Sequence, residues 1–414
     1  VIIQSMLGLG AFLFFAWILS ENRSRISLKT VIAGVIMQMA LGAALLKLPF
    51  FKDIFLVLNR LVAALEESTI AGTSFVFGYL GGGELPFVEK IQGASFILAF
   101  KALPLVLVMS ALSALLFYWK VLPLVVKGFN TFLQKTMGLG GAEGLGVSAN
   151  IFVGMIESPL FIRPYLKDMS RSEIFTLMTS GMATIAGTVM VLYASILSSI
   201  IPDIMGHILI ASIISVPAAI TISKIMIPET GESTSGEMVI SEKALSSMDA
   251  LTKGTIQGIQ LLINIIAMLI VLVALVHLVN IIAGLLPSIG GEPVTLQRLL
   301  GYIMAPVVWL MGIPWDEAFT AGALMGNKTI LNEFIAYVEM SRLPEGVLNH
   351  RSLLIMTYAM CGFANPGSLG IMIGGMGTMV PEKRNEIVSL GLRSIVAGTL
   401  STCMTGAVVG IIGV

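Results

Sequence analysis

Two short stretches of this chain set an amide and a carboxylate inside otherwise apolar sequence. The first, NIFVGMIESPL, runs from Asn150 to Leu160 and carries Glu157, with Gly154 before it and Pro159 after it. The second, MGNKTILNEFIAY, runs from Met325 to Tyr337 and carries Asn332 and Glu333. A carboxylate accepts hydrogen bonds from hydroxyl or ring N–H donors, so the pair Glu157 and Glu333 suits a neutral small molecule rich in donors. The structural alternative is that each glutamate caps a helix end by binding free backbone N–H groups. Two glutamates at matching places favour a shared polar substrate. Asn150 reads either as a cap or as a cation ligand through its carbonyl oxygen. Sodium takes several oxygen donors, and backbone carbonyls freed at a helix break supply them. Thr184 and Ile185 fall at such a break, within GMATIAGTV.

The medium around these residues follows from composition. Of 414 residues, 56% are hydrophobic and 12% charged, and the mean hydropathy is +0.95. A soluble domain carries about 25% charged residues. The composition therefore excludes a large soluble enzyme and requires a membrane. Net charge is zero and no basic block occurs, which excludes a nucleic-acid partner. Cys361 and Cys403 sit in apolar runs and read as small hydrophobes. The three histidines lack metal-site spacing, so neither a metal centre nor an organic cofactor is expected. His277 and His207 read as packing residues, and Lys101, Lys120 and Lys127 as chains that snorkel to an interface. The chain opens on Val1, so its natural start is expected upstream. Its first apolar run lacks a basic lead-in and a cleavage site and reads as a membrane helix rather than a signal peptide.

A helix needs roughly 20 apolar residues to cross about 30 Å of hydrocarbon. Eight candidates meet this: 1–19, 30–48, 97–120, 173–200, 204–227, 254–286, 352–379 and 386–413. With the N-terminus outside, the clusters Arg23/Arg25/Lys29, Lys167/Arg171 and Lys383/Arg384 all fall in the cytoplasm, while Arg342 and Arg351 fall outside, against the trend. Residues 228–253 form the one strongly polar segment, a cytoplasmic linker.

Regions 142–166 and 314–341 fit no crossing. Arms of about 12 residues on either side of the first charge reach only roughly 18 Å as helices. A re-entrant hairpin accounts for length and break together, since irregular backbone at membrane depth survives only when buried or lining a wet cavity. Pro314 followed by Trp315, Asp316 and Glu317 reads as a helix start. Each hairpin precedes an interrupted helix, GMATIAGTV after the first and CGFANPGSLG after the second. The order hairpin, broken helix, plain helix thus occurs twice with opposite orientation. The expected fold is an all-α integral membrane protein of about eight transmembrane helices plus two re-entrant hairpins in an inverted repeat, with broken helices at the midplane. Paired discontinuities of this kind point to a midplane site in a secondary transporter.

The segments NIFVGMIESPLFIRPYL, GMATIAGTV, NEFIAY and CGFANPGSLGIMIGG, in this order and spacing, resemble the concentrative nucleoside transporters. The resemblance covers about the whole chain and is strong from residue 90 onward. It implies a multi-pass homotrimer of the bacterial cell (inner) membrane, surrounded by lipid. It implies scaffold helices over 1–121, a first transport repeat over 122–227, the linker over 228–253, a scaffold helix over 254–290 and a second transport repeat over 291–414. Each repeat opens with an interfacial helix. The resemblance puts the base against Gly154, Met155, Ile156, Glu157 and Val189, and the ribose against Glu333, Asn365 and Ser368 with Phe363 close by. It puts sodium at Asn150, Val153, Thr184 and Ile185. One departure matters: many members carry a Gln and a hydroxyl where this chain has Met155 and Ile156, which weakens pyrimidine recognition by removing donors. The tip looks like the purine-preferring branch, with uridine still a candidate.

The leading reading is a sodium-coupled nucleoside symporter working by an elevator mechanism. Proton coupling and an uncoupled, channel-like facilitator are its alternatives. An intramembrane hydrolase using Glu157 and Glu333 is a third class, supported by no nucleophile–base set.

Overall fold

The computed structural model describes residues 2–89, 95–231, 234–236, 244–288, 291 and 293–413, so positions 232–233 and 237–243 of the expected linker lie outside the described residues. All regular structure among the described residues is helical. Apolar α1 (Ile2–Ile18) leads to α2 (Leu28–Lys47), whose N-terminus is capped by Ser27. A 29-residue helix follows, α3 (Pro49–Phe77). The hydropathy pattern gives no crossing there, because Asp53, Arg60, Glu66 and Glu67 interrupt every apolar window. It folds as an amphipathic helix instead. Next come α4 (Leu98–Lys101) and α5 (Leu105–Tyr118), separated at Pro104, and α6 (Val121–Met137).

The first hairpin consists of α7 (Gly141–Ala149) and α8 (Glu157–Leu160). Its arms are unequal, contrary to the even arms expected: the returning arm holds one α turn and a 3-10 turn at Arg163–Tyr165. Pro159 and Pro164 deny this arm the backbone donors of a longer helix. The broken helix is α9 (Arg171–Ala183) and α10 (Gly187–Leu197), and α11 (Ile204–Met226) is the plain helix after it. Helix α12 (Ser247–Ala283) runs 37 residues. The second set comprises α13 (Leu296–Leu310), the hairpin α14 (Trp315–Ile330) and α15 (Glu333–Ser341), the broken helix α16 (His350–Met360) and α17 (Pro366–Met379), and α18 (Arg384–Ile412).

Among the described residues six spans are long and apolar enough to cross: Leu28–Lys47, Leu98–Tyr118, Arg171–Leu197, Ile204–Met226, Ser247–Ala283 and Pro381–Ile412. Ile2–Ile18 and the α16–α17 pair occupy the other two expected crossings. Helices α9, α11 and α18 form the buried centre, with α1 and α2 packed on α11 and α18. Helices α5 and α12 pack mainly on each other, and α12 turns Ile263, Ile270 and Ile281 outward. His277, expected as a packing residue, is exposed there too.

The three basic clusters assigned to one side do meet on one face. Arg171 binds Glu21 at 2.9 Å, Arg393 binds the same carboxylate, and Lys383 Nζ donates to Met169 O at 3.2 Å. Arg351 lies at the other end. Its guanidinium donates to Gly312 O at 2.8 Å and Gly410 O at 2.5 Å, satisfying carbonyls at two helix ends. That structural use accounts for a basic residue on the wrong side of the charge rule.

Candidate functional site

In the first hairpin α7 stops at Asn150, and the chain runs without regular structure to Ile156. Ser158 Oγ donates to Gly146 O at 2.6 Å and ties the arms together. Phe152 O accepts from Gly187 N at 3.1 Å, fastening the tip to the start of α10. An added Cβ on Gly187 would meet Phe152 O at 2.5 Å, so only glycine allows this approach. The hairpin tip and the break in the helix behind it form one unit.

The four residues assigned to sodium lie at this junction. Asn150 is 2% exposed, and Val153, Thr184 and Ile185 are buried. Thr184 Oγ1 donates to Asn150 O at 3.2 Å and to Ser180 O at 2.8 Å. Asn150 Nδ2 reaches Leu177 O at 3.5 Å, while Asn150 Oδ1 is buried with no partner. The hydroxyls of Ser148, Thr179 and Ser180 are also buried without partners. Buried polar atoms are nearly always satisfied. A set of neutral oxygens with unsatisfied members fits a hard monovalent cation, and no group of His, Cys, Asp or Glu suited to a metal ion occurs among the described residues.

The two glutamates behave differently. Glu333 is 4% exposed and opens α15. Its neighbour Asn332 supplies the cap, accepting from Ile335 N at 2.9 Å. The Glu333 carboxylate accepts from its own backbone N–H but is left free to bond across to other helices. Tyr193 Oη donates to Oε1 at 2.7 Å and Asn365 Nδ2 donates to Oε2 at 3.1 Å. Asn365 Oδ1 in turn accepts from Ser368 N at 2.8 Å, fixing the start of α17. Glu333, Asn365 and Ser368 are thus brought together, with Phe363 at the same break. Glu157 is exposed, and its carboxylate accepts from backbone N–H groups of the tip, at Gly154, Ile156 and Glu157 itself, which is the capping use. Its carboxylate folds back over Gly154, where an added Cβ would collide with it. No hydrogen bond joins the two glutamates among the described residues.

The remaining base-side residues line the contact between repeats. Met155 packs on Gly181, where a Cβ would come 2.8 Å from the Met155 Cβ and 3.0 Å from Met372 Cε. Ile156 abuts Gly375 of α17, and Val189 is buried on α10. The two breaks also touch: a Cβ on Gly362 would meet Met182 O at 2.8 Å and the Ala183 carbonyl carbon at 3.0 Å.

Two residues of this region escape the sequence reading. Tyr193 lies four positions after Val189, on the same face of α10. That spacing was a usable signal. Lys328 stands inside the second polar stretch itself, fully buried, with Nζ donating to Thr402 Oγ1 at 3.2 Å.

Family models for the Na+ dependent nucleoside transporter N-terminus and C-terminus match residues 7–80 and 207–410, and a model described as nucleoside recognition matches residues 99–200. Nucleoside permease NupC of Helicobacter pylori is 35% identical over 413 residues, covering 98% of this chain and 97% of its own. An uncharacterized transporter of Bacillus subtilis, YutK, is 36% identical over 414 residues, covering 99% of both. The solved structure of CNTnw in an inward-facing, substrate-bound state is 34% identical and superposes with a TM-score of 0.91, covering 100% of this chain and 99% of its own. With the inverted hairpins, the paired breaks and these full-length likenesses, the chain belongs to the Na+ dependent nucleoside transporter family, whose members are membrane transporters and not enzymes.

Proposed function

We propose that this chain is a sodium-coupled symporter that imports nucleosides, purine nucleosides before pyrimidine ones, with uridine also carried. The observation that carries the reading is the Glu333 carboxylate, buried and held by Tyr193 and Asn365 beside a second break. A carboxylate offers about four acceptor sites; Tyr193, Asn365 and its own backbone N–H take three, which leaves an acceptor for a ribose hydroxyl. The neutral oxygens around Asn150 and Thr184 supply a separate cation position. Each site sits where a hairpin tip meets a broken helix, so cation and nucleoside are joined through the touching breaks rather than by direct contact.

The packing supports alternating access by an elevator movement. The hairpins and broken helices form one buried body, while α5 and α12 pack chiefly on each other and touch that body through α10 and the Phe117–Phe161 stack at 4.7 Å. Helices α1 and α2 pack on that body and move with it in this reading, which narrows the scaffold expected over 1–121. The outward apolar face of α12 supports contact with lipid or with further copies in a homotrimer.

The test is uptake of radiolabelled adenosine and uridine into proteoliposomes under a sodium gradient, a proton gradient or neither. Accumulation driven by sodium is the expected result. Accumulation that follows protons alone transfers the coupling to the proton alternative, and equilibration without accumulation identifies a facilitator.

A further inference from the structure

Lys328 is the one lysine in the buried centre for which the proposed transport cycle has no use. It occupies the last turn of α14, 0% exposed, while Glu333 opens the other arm of the same hairpin. Among the described residues its one hydrogen-bond partner is a neutral hydroxyl, Thr402 Oγ1 at 3.2 Å on α18. The contrast with Lys224 is informative. Lys224 sits near the cytoplasmic face and pairs directly with Glu143 at 2.7 Å and with Glu229 at 3.6 Å. Lys328 forms no such ion pair among the described residues. A packing role alone would be met by Met or Leu, with no amine to desolvate.

We infer that Lys328 is a positioning residue for substrate binding: its buried ammonium is the counter-charge that keeps the Glu333 carboxylate ionised, and so able to accept from substrate hydroxyls. The inference rests on the reading of Glu333 as the ribose-binding group. Tyr193 faces Glu333 from α10, Asn365 from the break before α17, Cys361 from the end of α16, and Tyr337 from its own helix. Among the described residues Lys328 is the one cation of this cluster: it is buried in the last turn of α14, five positions before Glu333 across the hairpin turn, and neither residue has an ion pair of its own. Around Lys328 itself stand Thr402 and Cys403 of α18 and Cys361 of α16, none of them anionic in their neutral forms. An ionised carboxylate only accepts, whereas a protonated one turns one oxygen into a donor. Losing the nearby positive charge favours the protonated form.

The experiment measures nucleoside affinity and uptake in proteoliposomes from pH 5 to 9 at saturating sodium, for wild type, Lys328→Met, Lys328→Arg and Glu333→Gln. Lys328→Met is expected to bind weakly at neutral pH and to recover at alkaline pH, so that its half-maximal point moves up by at least one pH unit. Lys328→Arg should keep the wild-type profile. A Lys328→Met profile that is only scaled down, with no shift, overturns the inference and assigns Lys328 to packing. Should Lys328→Met fail to fold, the infrared difference between wild type and Glu333→Gln at pH 7 decides. A carboxylate stretch belonging to Glu333 supports the inference, and a protonated carboxyl band overturns it. Normal affinity in Glu333→Gln would instead remove the ribose assignment itself, an outcome distinct from either.

Discussion

Asn332 and Glu333 are adjacent and do different work, and substitution should separate them. Asn332→Ala removes a helix cap, which costs about 0.5–2 kcal/mol of stability. Thermal melts should show that loss while nucleoside affinity stays within a few-fold. Glu333→Ala removes charged hydrogen bonds that contribute roughly 1.5–3 kcal/mol each. It should abolish binding in a protein that still inserts, and near-normal uptake would defeat the ribose assignment. The cation position has its own signature. Thr184→Val deletes the hydroxyl that contacts Asn150 O and Ser180 O. It should raise the sodium concentration for half-maximal uptake and change nucleoside affinity at saturating sodium much less, because the two sites communicate only through their coupling. The proposed base preference is assigned to Met155, buried against Gly181. A thioether packs against a wide ring but has no donor for a pyrimidine edge. Met155→Gln with Ile156→Thr should shift competition against labelled uridine toward cytidine by a few-fold to about tenfold, the worth of one hydrogen bond at roughly 0.5–1.5 kcal/mol. If cytidine already outcompetes adenosine in wild type, the purine preference is wrong. At this scale the sequence shows which polar residues are expensive, since any carboxylate in an apolar run stands out. It does not show their partners: Tyr193 is 140 residues from Glu333 and looks like ordinary core.

The hairpins were legible because length and polarity disagree with a crossing at two places, and the breaks because small and polar residues interrupt two apolar helices. Their internal geometry was less so. The first hairpin's short returning arm depends on Pro159 and Pro164 acting together, and a span-length argument does not weigh that. Helix α3 was invisible to hydropathy for a different reason. Its charges are spread along the helix so that no window is apolar, yet one face still packs: Ser195 Oγ of α10 donates to Glu66 Oε1 at 2.9 Å. Amphipathic period, not mean hydropathy, is the signal for such an element. The meeting of the two breaks gives a paired prediction. A Cβ on Gly362 would press on the backbone of Met182 and Ala183, while a Cβ on Gly370 in α17 finds nothing within 4 Å. Gly362→Ala should destabilise by about 1–3 kcal/mol, as overpacking does. Gly370→Ala should instead stabilise by up to about 1 kcal/mol through helix propensity. Melting of both variants in the same detergent checks the signs, and equal shifts would mean that the breaks do not touch as described.

Composition decides that the molecule lies in a membrane, and the positive clusters decide which ends share a face, because both are sums over many residues. Which helices pack together is not such a sum, and the placing of α1 and α2 against α11 and α18 emerges only from packing. The ion pairs of the shared face belong to the same class of long-range fact. Glu21, between α1 and α2, gathers Arg171 from the start of α9 and Arg393 from α18, 372 residues away. The Arg171 hydrogen bond, assisted by charge from Arg171 and Arg393, holds the Glu21 carboxyl below its ordinary range despite some desolvation. A carboxyl depressed on folding adds stability that is present above the unfolded value, about 4.3 for Glu, and is lost as pH falls through the lower folded value. Glu21 is partly exposed, so solvent and salt screen the effect, and a magnitude on the order of 1 kcal/mol or less is expected. Glu21→Gln should therefore melt slightly below wild type at pH 7. The gap should narrow as pH drops below about 4 and should shrink in high salt at neutral pH. Melting curves of both proteins in one lipid nanodisc composition, across pH and salt, provide the measurement. A gap that persists unchanged into acid would mean that Glu21 acts by shape and not by charge, and that the N-terminal parts of α9 and α18 are joined to the first loop by packing alone.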